Sequence, residues 1–165
     1  MMNYENNRTN YFISKEVTME NTQHLMEVLT FDGIGYQPLI HCRDFRVAML
    51  NYHPELEIEN ISNFQQHSLT DEAFILLSGS CTLFLAEDES LEKVHAVALE
   101  PGKIFNVKQG SYHTHTLSKD ASVLIVEADD TCDDNSPQVF LADFADKGAD
   151  VRKRMFAAYN EAQTK

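Results

Sequence analysis

Along most of the chain, apolar and polar residues alternate over short stretches, at the period of two that marks half-buried strands. RDFRVAMLNY (Arg43–Tyr52) predicts a strand ended by Pro54, and LEIENI predicts a weaker one after it. FILLS (Phe74–Ser78) is apolar enough for a buried strand, and Ser78-Gly79 reads as a tight turn into CTLFLA (Cys81–Ala86). EDESLEK (Glu87–Lys93) predicts a solvated hairpin loop, and VHAVAL (Val94–Leu99) the returning strand. Pro101-Gly102 suits the central pair of a type II turn, with the glycine taking the positive φ. KIFNV (Lys103–Val107), YHTHTL (Tyr112–Leu117) and SVLIVEA (Ser122–Ala128) predict three more strands, separated by Gly110 and by Lys119-Asp120.

The period changes only toward the ends. A short helix is predicted from Asn21 or Thr22, either of which can cap it. Leu25, Val28 and Leu29 share one face, and FDGIG (Phe31–Gly35) breaks it. A second helix is predicted over Ala149–Gln163, with Val151, Met155, Ala158 and Ala162 on one face. ADDTCDDNSP (Ala128–Pro137) is an acidic loop, and the first 20 or so residues are a polar, asparagine-rich tail, loose or lending a strand to a neighbour. Seven or eight short strands with regular turn signals, and helices only at the ends, predict an all-β antiparallel sandwich or barrel.

At 165 residues the chain is most simply one domain, and 43% hydrophobic with 24% charged residues is ordinary for a globular protein. The net charge changes the picture more. At −13 it argues against nucleic acid and against anionic membrane surfaces as partners. No run is long enough to span a membrane as a helix, and MMNYENNRTNYF has no apolar signal core. Cys42, Cys81 and Cys132 are odd in number, widely spaced and without a CxxC, which predicts reduced thiols and a cytoplasmic protein.

The candidate chemistry lies in QQHSLTDEAFILLSG (Gln65–Gly79) and GKIFNVKQGSYHTHTL (Gly102–Leu117). Residues two apart on a strand share a face. His113 therefore lies with His115 and Leu117, and Glu72 lies with Phe74 and Leu76. An imidazole or carboxylate aimed into an apolar barrel needs a partner or a metal ion. A lone strand histidine is more often a satisfied core or surface residue, so spacing alone leaves both readings open. Phe74, Phe84, Phe105 and Leu117 are expected to line the barrel and form an apolar pocket for a small molecule. Tyr52-His53 is expected at its rim, His41 and His95 on the surface, and Cys81 in the core.

The two segments together resemble the motifs of the cupin superfamily. The first motif is glycine, five residues, HxH, three or four residues, glutamate, six residues, glycine. Gln65-Gln66-His67, Glu72 and Gly79 fall in that register. The second is glycine, five residues, PxG, two residues, histidine, three residues, asparagine, and Gly102, Gly110 and His113 fall in it. Glu59, Gln65, Lys108 and Leu117 stand where the family has glycine, histidine, proline and asparagine. The motifs cover about a quarter of the chain, and the strand pattern extends the match to roughly residues 40–130.

The resemblance implies a double-stranded β-helix (jelly-roll) barrel over 23–165, with short terminal helices and a polar extension over 1–22. It further implies one divalent metal ion (iron, zinc, manganese or nickel) held by His67, Glu72 and His113. Gln65 and His115 are candidate further ligands, and Glu72 and His115 candidate catalytic groups. A metal-dependent enzyme on a small organic molecule is expected, of isomerase, lyase or dioxygenase type. A non-catalytic sensor of a sugar-like ligand is the alternative, and a homodimer is the expected assembly.

Overall fold

The computed structural model describes residues 24–144 and 147–164. Among the described residues, ten strands form two five-stranded antiparallel sheets. The first contains β1 (Gly35–Cys42), β2 (Phe45–Asn51), β9 (Ser122–Ala128), β4 (Glu72–Ser78) and β7 (Phe105–Val107), in that spatial order. The second contains β10 (Gln138–Phe140), β3 (Asn63–Gln65), β8 (Tyr112–Leu117), β5 (Cys81–Ala86) and β6 (His95–Ala98). The chain crosses repeatedly from one sheet to the other, which winds them into a barrel. One helix, α1 (Lys147–Ala162), follows β10.

Alternation decides what fills the barrel. Ala48 and Leu50 of β2, Phe74 and Leu76 of β4, Leu83 of β5, Leu117 of β8, and Val123 and Ile125 of β9 meet in one core between the sheets. The opposite face of the second sheet makes a separate core with α1, where Phe64, Phe84 and Tyr112 pack with Val151 and Met155. Phe84 therefore does not line the barrel as expected. It pairs with Thr114, out of phase with the inward pair Leu83–His115. Among the described residues no helix is long and apolar enough to cross a membrane, and Cys42, Cys81 and Cys132 are free thiols.

The tight turns form as the glycines predict. Gly79 has φ +65°, and a Cβ there would lie 2.6 Å from the Ala121 backbone, so only glycine lets the β4–β5 turn close against that loop. Gly102 and Gly110 also have positive φ, each in a turn closed by a backbone hydrogen bond (Lys103 to Glu100, Ser111 to Lys108).

Several expectations are corrected. The helix from Asn21 or Thr22 begins outside the described residues. Where described, residues 26–30 are not helical, and Leu25, Val28 and Leu29 stand exposed, since so short a segment has no packing to stabilise it. LEIENI is not a strand. Pro54 opens a 3-10 turn (Pro54–Leu56), Asn60 donates to its carbonyl, and Ile58 and Ile61 bury in the helix-side core. The loop after β5 is present, but its Leu91 is fully buried. β1, β3 and β10 were not predicted, because β3 and β10 are three residues long and β1 carries Pro38 at a register shift.

Candidate metal centre

The inward faces of β4 and β8 meet at one end of the barrel. Glu72 opens β4, His113 lies in β8, and His67 precedes β4 in the loop after β3. All three are buried, and one potential ligand atom from each lies within 4.8 Å of the others. Nε2 of His67 and Nε2 of His113 approach the same oxygen, Glu72 Oε2, at 3.0 and 2.9 Å. Phe74, two residues along the same face, stands 6.1 Å from the ring centres of both His113 and His115.

The far sides of the two rings identify their tautomers. Nδ1 of His113 lies 3.0 Å from the Ser111 carbonyl, which can only accept, so this nitrogen carries a proton. Nδ1 of His67 lies 2.9 Å from Ser136 Oγ, which itself donates to Asn135 Oδ1 at 3.1 Å and so accepts from the ring. In the neutral state both histidines turn bare Nε2 lone pairs toward a carboxylate. His113 Nε2 lies within ion-pair distance of Glu72 but has no hydrogen-bond partner, and Nδ1 of His115 is also buried without one. A lone pair facing an anion in a buried site needs a cation between them, either a proton or a metal ion. Imidazoles anchored through the outer nitrogen, beside a carboxylate, form a donor set that suits a divalent metal, and the three residues can hold one.

The electrostatics agree. Burial pushes the Glu72 carboxyl up, but contacts from His113 and His67 outweigh it and hold the group at about 2. Burial pulls His67 down, yet the hydrogen bond and charge of Glu72 leave it above the ordinary histidine value. His115 has no such partner, and burial lowers it to about 4, so it is neutral at neutral pH. Metal and protons compete for the same nitrogens. Metal affinity is therefore expected to fall as pH drops through the histidine range, beginning above about 6.5 because His67 is raised. For metal-free protein, the depressed Glu72 contributes stability that is present above about 4.5 and lost as pH falls toward about 2. Metal titrations and melting curves between pH 4 and 8 check both, and a pH-independent affinity contradicts the ligand assignment.

Gln65 and His115 are placed differently. Gln65 pairs with His113 across β3 and β8, is half-buried, and has no side-chain hydrogen bond among the described residues. Both residues line a cavity of about 470 Å³ together with His67 and Glu72. His53 lines the cavity and Tyr52 does not, while His41 and His95 are exposed as expected. Among the cavity residues that the sequence reading missed are Tyr36, Arg46 and Glu127. A signal was available for two of them, since Arg46 and Glu127 are charges at inward positions of otherwise apolar strands.

No family model matches the sequence, and no curated protein is significantly similar to it. Solved structures of low identity overlap part of the chain. A protein from Shewanella oneidensis has a TM-score of 0.49 at 12% identity, covering 72% of this chain and 81% of its own. A cupin-2 domain containing protein from Shewanella frigidimarina has 0.42 at 17% identity, over 68% of this chain and 94% of that one. An RmlC-like cupin family protein with a double-stranded β-helix fold, from Methanocaldococcus jannaschii, has 0.44 at 14%, over 63% and 91%. At such overlap the likeness carries no argument, and the strand order carries the conclusion. Two five-stranded antiparallel sheets, wound by a chain that passes between them, give this protein a cupin-like double-stranded β-helix fold.

Proposed function

We propose that the protein is a metal-dependent cupin enzyme acting on a small organic molecule, with one divalent ion held by His67, Glu72 and His113. The observation that carries this reading is the pair of imidazoles, each anchored through Nδ1, converging on one buried carboxylate oxygen at the wall of a cavity. A cavity of about 470 Å³ lies within the usual range for small-molecule sites. A divalent ion bound there supplies Lewis acidity, polarising a substrate oxygen or activating water or dioxygen. Ser111 and Ser136 hold the ligand tautomers. His115, neutral and on the cavity wall, is available to take up a proton.

Elemental analysis of untagged protein is expected to give close to one first-row divalent ion per chain, and well under a tenth after metal supplementation would refute the reading. Gln65 sets the strength of the site. Its neutral amide oxygen is a weaker donor than imidazole, so Gln65→His is expected to tighten metal binding about tenfold. If His115 already completes the shell, that change has little effect and His115→Ala lowers affinity sharply instead. Incubating the loaded protein with sugars, hydroxy acids and small aromatics separates an enzyme from a sensor, since a sensor gives saturable melting shifts and consumes nothing.

A further inference from the structure

The cavity has a second charged wall. Arg46 of β2 and Glu127 of β9 are direct cross-strand partners, and Arg46 Nε donates to Glu127 Oε1 at 3.1 Å. Tyr36 of β1 donates its hydroxyl to the same oxygen, and the guanidinium carbon sits 5.8 Å from the centre of its ring. β9 pairs with β4 through Val126 and Ala73, so one step along this register sets Glu72 beside Glu127. Arg46, Glu127 and Glu72 thus form one rung across three adjacent strands, all on the inward face, and Tyr36, Arg46 and Glu127 border the same cavity as His67.

This rung is a poor device for stability alone. A buried ion pair rarely improves on apolar packing, and two carboxylates side by side on one face repel. Arg46 has five N–H donors, of which only the Nε one is hydrogen-bonded among the described residues. Its side chain is buried except for 18% of its surface, it lines the cavity, and neither amino group has a hydrogen bond among the described residues. A cation is retained here inside a chain of net charge −13. With a divalent ion on Glu72, the two carboxylates and Arg46 leave one net positive charge in the inner cavity, which a monoanion neutralises. Glu55 and Asp133 also line the cavity and disfavour a multiply charged phosphate.

We propose that Arg46 is the anion receptor of this cavity, and that the substrate is a small organic monocarboxylate whose carboxylate pairs with the Arg46 amino groups while its other end faces Glu72 and His67. The inference rests on the metal-site reading given above. Glu127 and Tyr36 are positioning residues: they hold the guanidinium by its Nε edge and leave the end-on fork for the ligand. Two strand spacings, about 10 Å, separate the backbones of Arg46 and Glu72, so a short-chain hydroxy or keto acid reaches from one group to the other.

The test is calorimetric titration of the metal-loaded protein with lactate, pyruvate, glycolate and 2-hydroxybutyrate. Lactamide, glucose and inorganic phosphate serve as contrasts. At least one acid is expected to bind saturably, with lactamide and phosphate at least tenfold weaker. Arg46→Met is expected to weaken the acid about tenfold or more, and Arg46→Lys to restore part of the loss. Because Arg46→Met strands Glu127, Arg46→Met with Glu127→Gln is the second variant, expected to fold and to show the same loss. Metal content is measured on every sample. One equivalent of metal, with acids and amides bound alike, with phosphate preferred, with no acid bound, or with affinity unchanged in both variants, overturns the anion receptor and leaves the metal centre standing. Loss of metal from the wild type overturns the metal reading itself.

Discussion

Glu72→Gln is expected to lower divalent-metal affinity by more than the ten- to hundredfold that a merely supporting residue is worth, because it removes an anionic ligand outright. Glu72 Oε2 is the atom on which both imidazoles converge, at 3.0 and 2.9 Å. An amide of the same shape keeps the volume of a buried site at the head of β4, so the barrel still folds. It offers no charge, and the influence that raises His67 disappears with it. Burial, which lowers His67, stays in place, so the variant is expected to have a histidine at position 67 that titrates lower than in wild type, as well as a weakened site. Competition against a chromophoric chelator gives the affinity, and histidine resonances followed against pH give the second effect. Unchanged affinity, with His67 titrating as in wild type, would remove Glu72 from the ligand set.

The second large effect is expected on stability. Phe74 is 1% exposed and sits in the core between the sheets, with its ring against both His113 and His115. Phe74→Ala deletes a buried aromatic side chain and leaves a cavity, which costs about 3–5 kcal/mol. For a chain of this length that corresponds to a melting temperature lower by about 10 °C. The loss is coupled to the site, because the ring that fixes the inward pitch of both histidines is gone. Metal affinity is expected to fall in the variant even at temperatures where it remains folded. Thermal melts and metal titration on the same sample check the two effects. A variant as stable as wild type would mean that the core closes over the gap, and Phe74→Leu, which leaves a smaller void, is expected to lie between the two.

Much of the site was legible before the fold. His67, Glu72 and His113 stood in motif register, and strand phase placed Glu72 with Phe74 and His113 with His115, as the inward faces of β4 and β8 now show. The anchors Ser111 and Ser136 were not legible, since one acts through its backbone carbonyl and the other comes from a loop 69 residues after His67. Phe84 was assigned to the wrong core, although its odd-numbered neighbours Leu83 and Leu85 face the barrel.

By itself, then, the chain's sequence determined the phase of each strand and the position of each tight turn. Side chains alternate at a period of two whatever lies beside the strand, and Gly79, Gly102 and Gly110 take φ values that other residues resist. Only the tertiary structure decided which strands are neighbours. Sheet hydrogen bonds join backbone groups that every residue carries, so a strand's own pattern says which face a residue takes and not what stands next to it. Tyr36 meets Glu127 across 91 positions of sequence, and Arg46, Glu127 and Glu72 share a rung because β9 lies between β2 and β4. The second charged wall of the cavity is a product of that pairing.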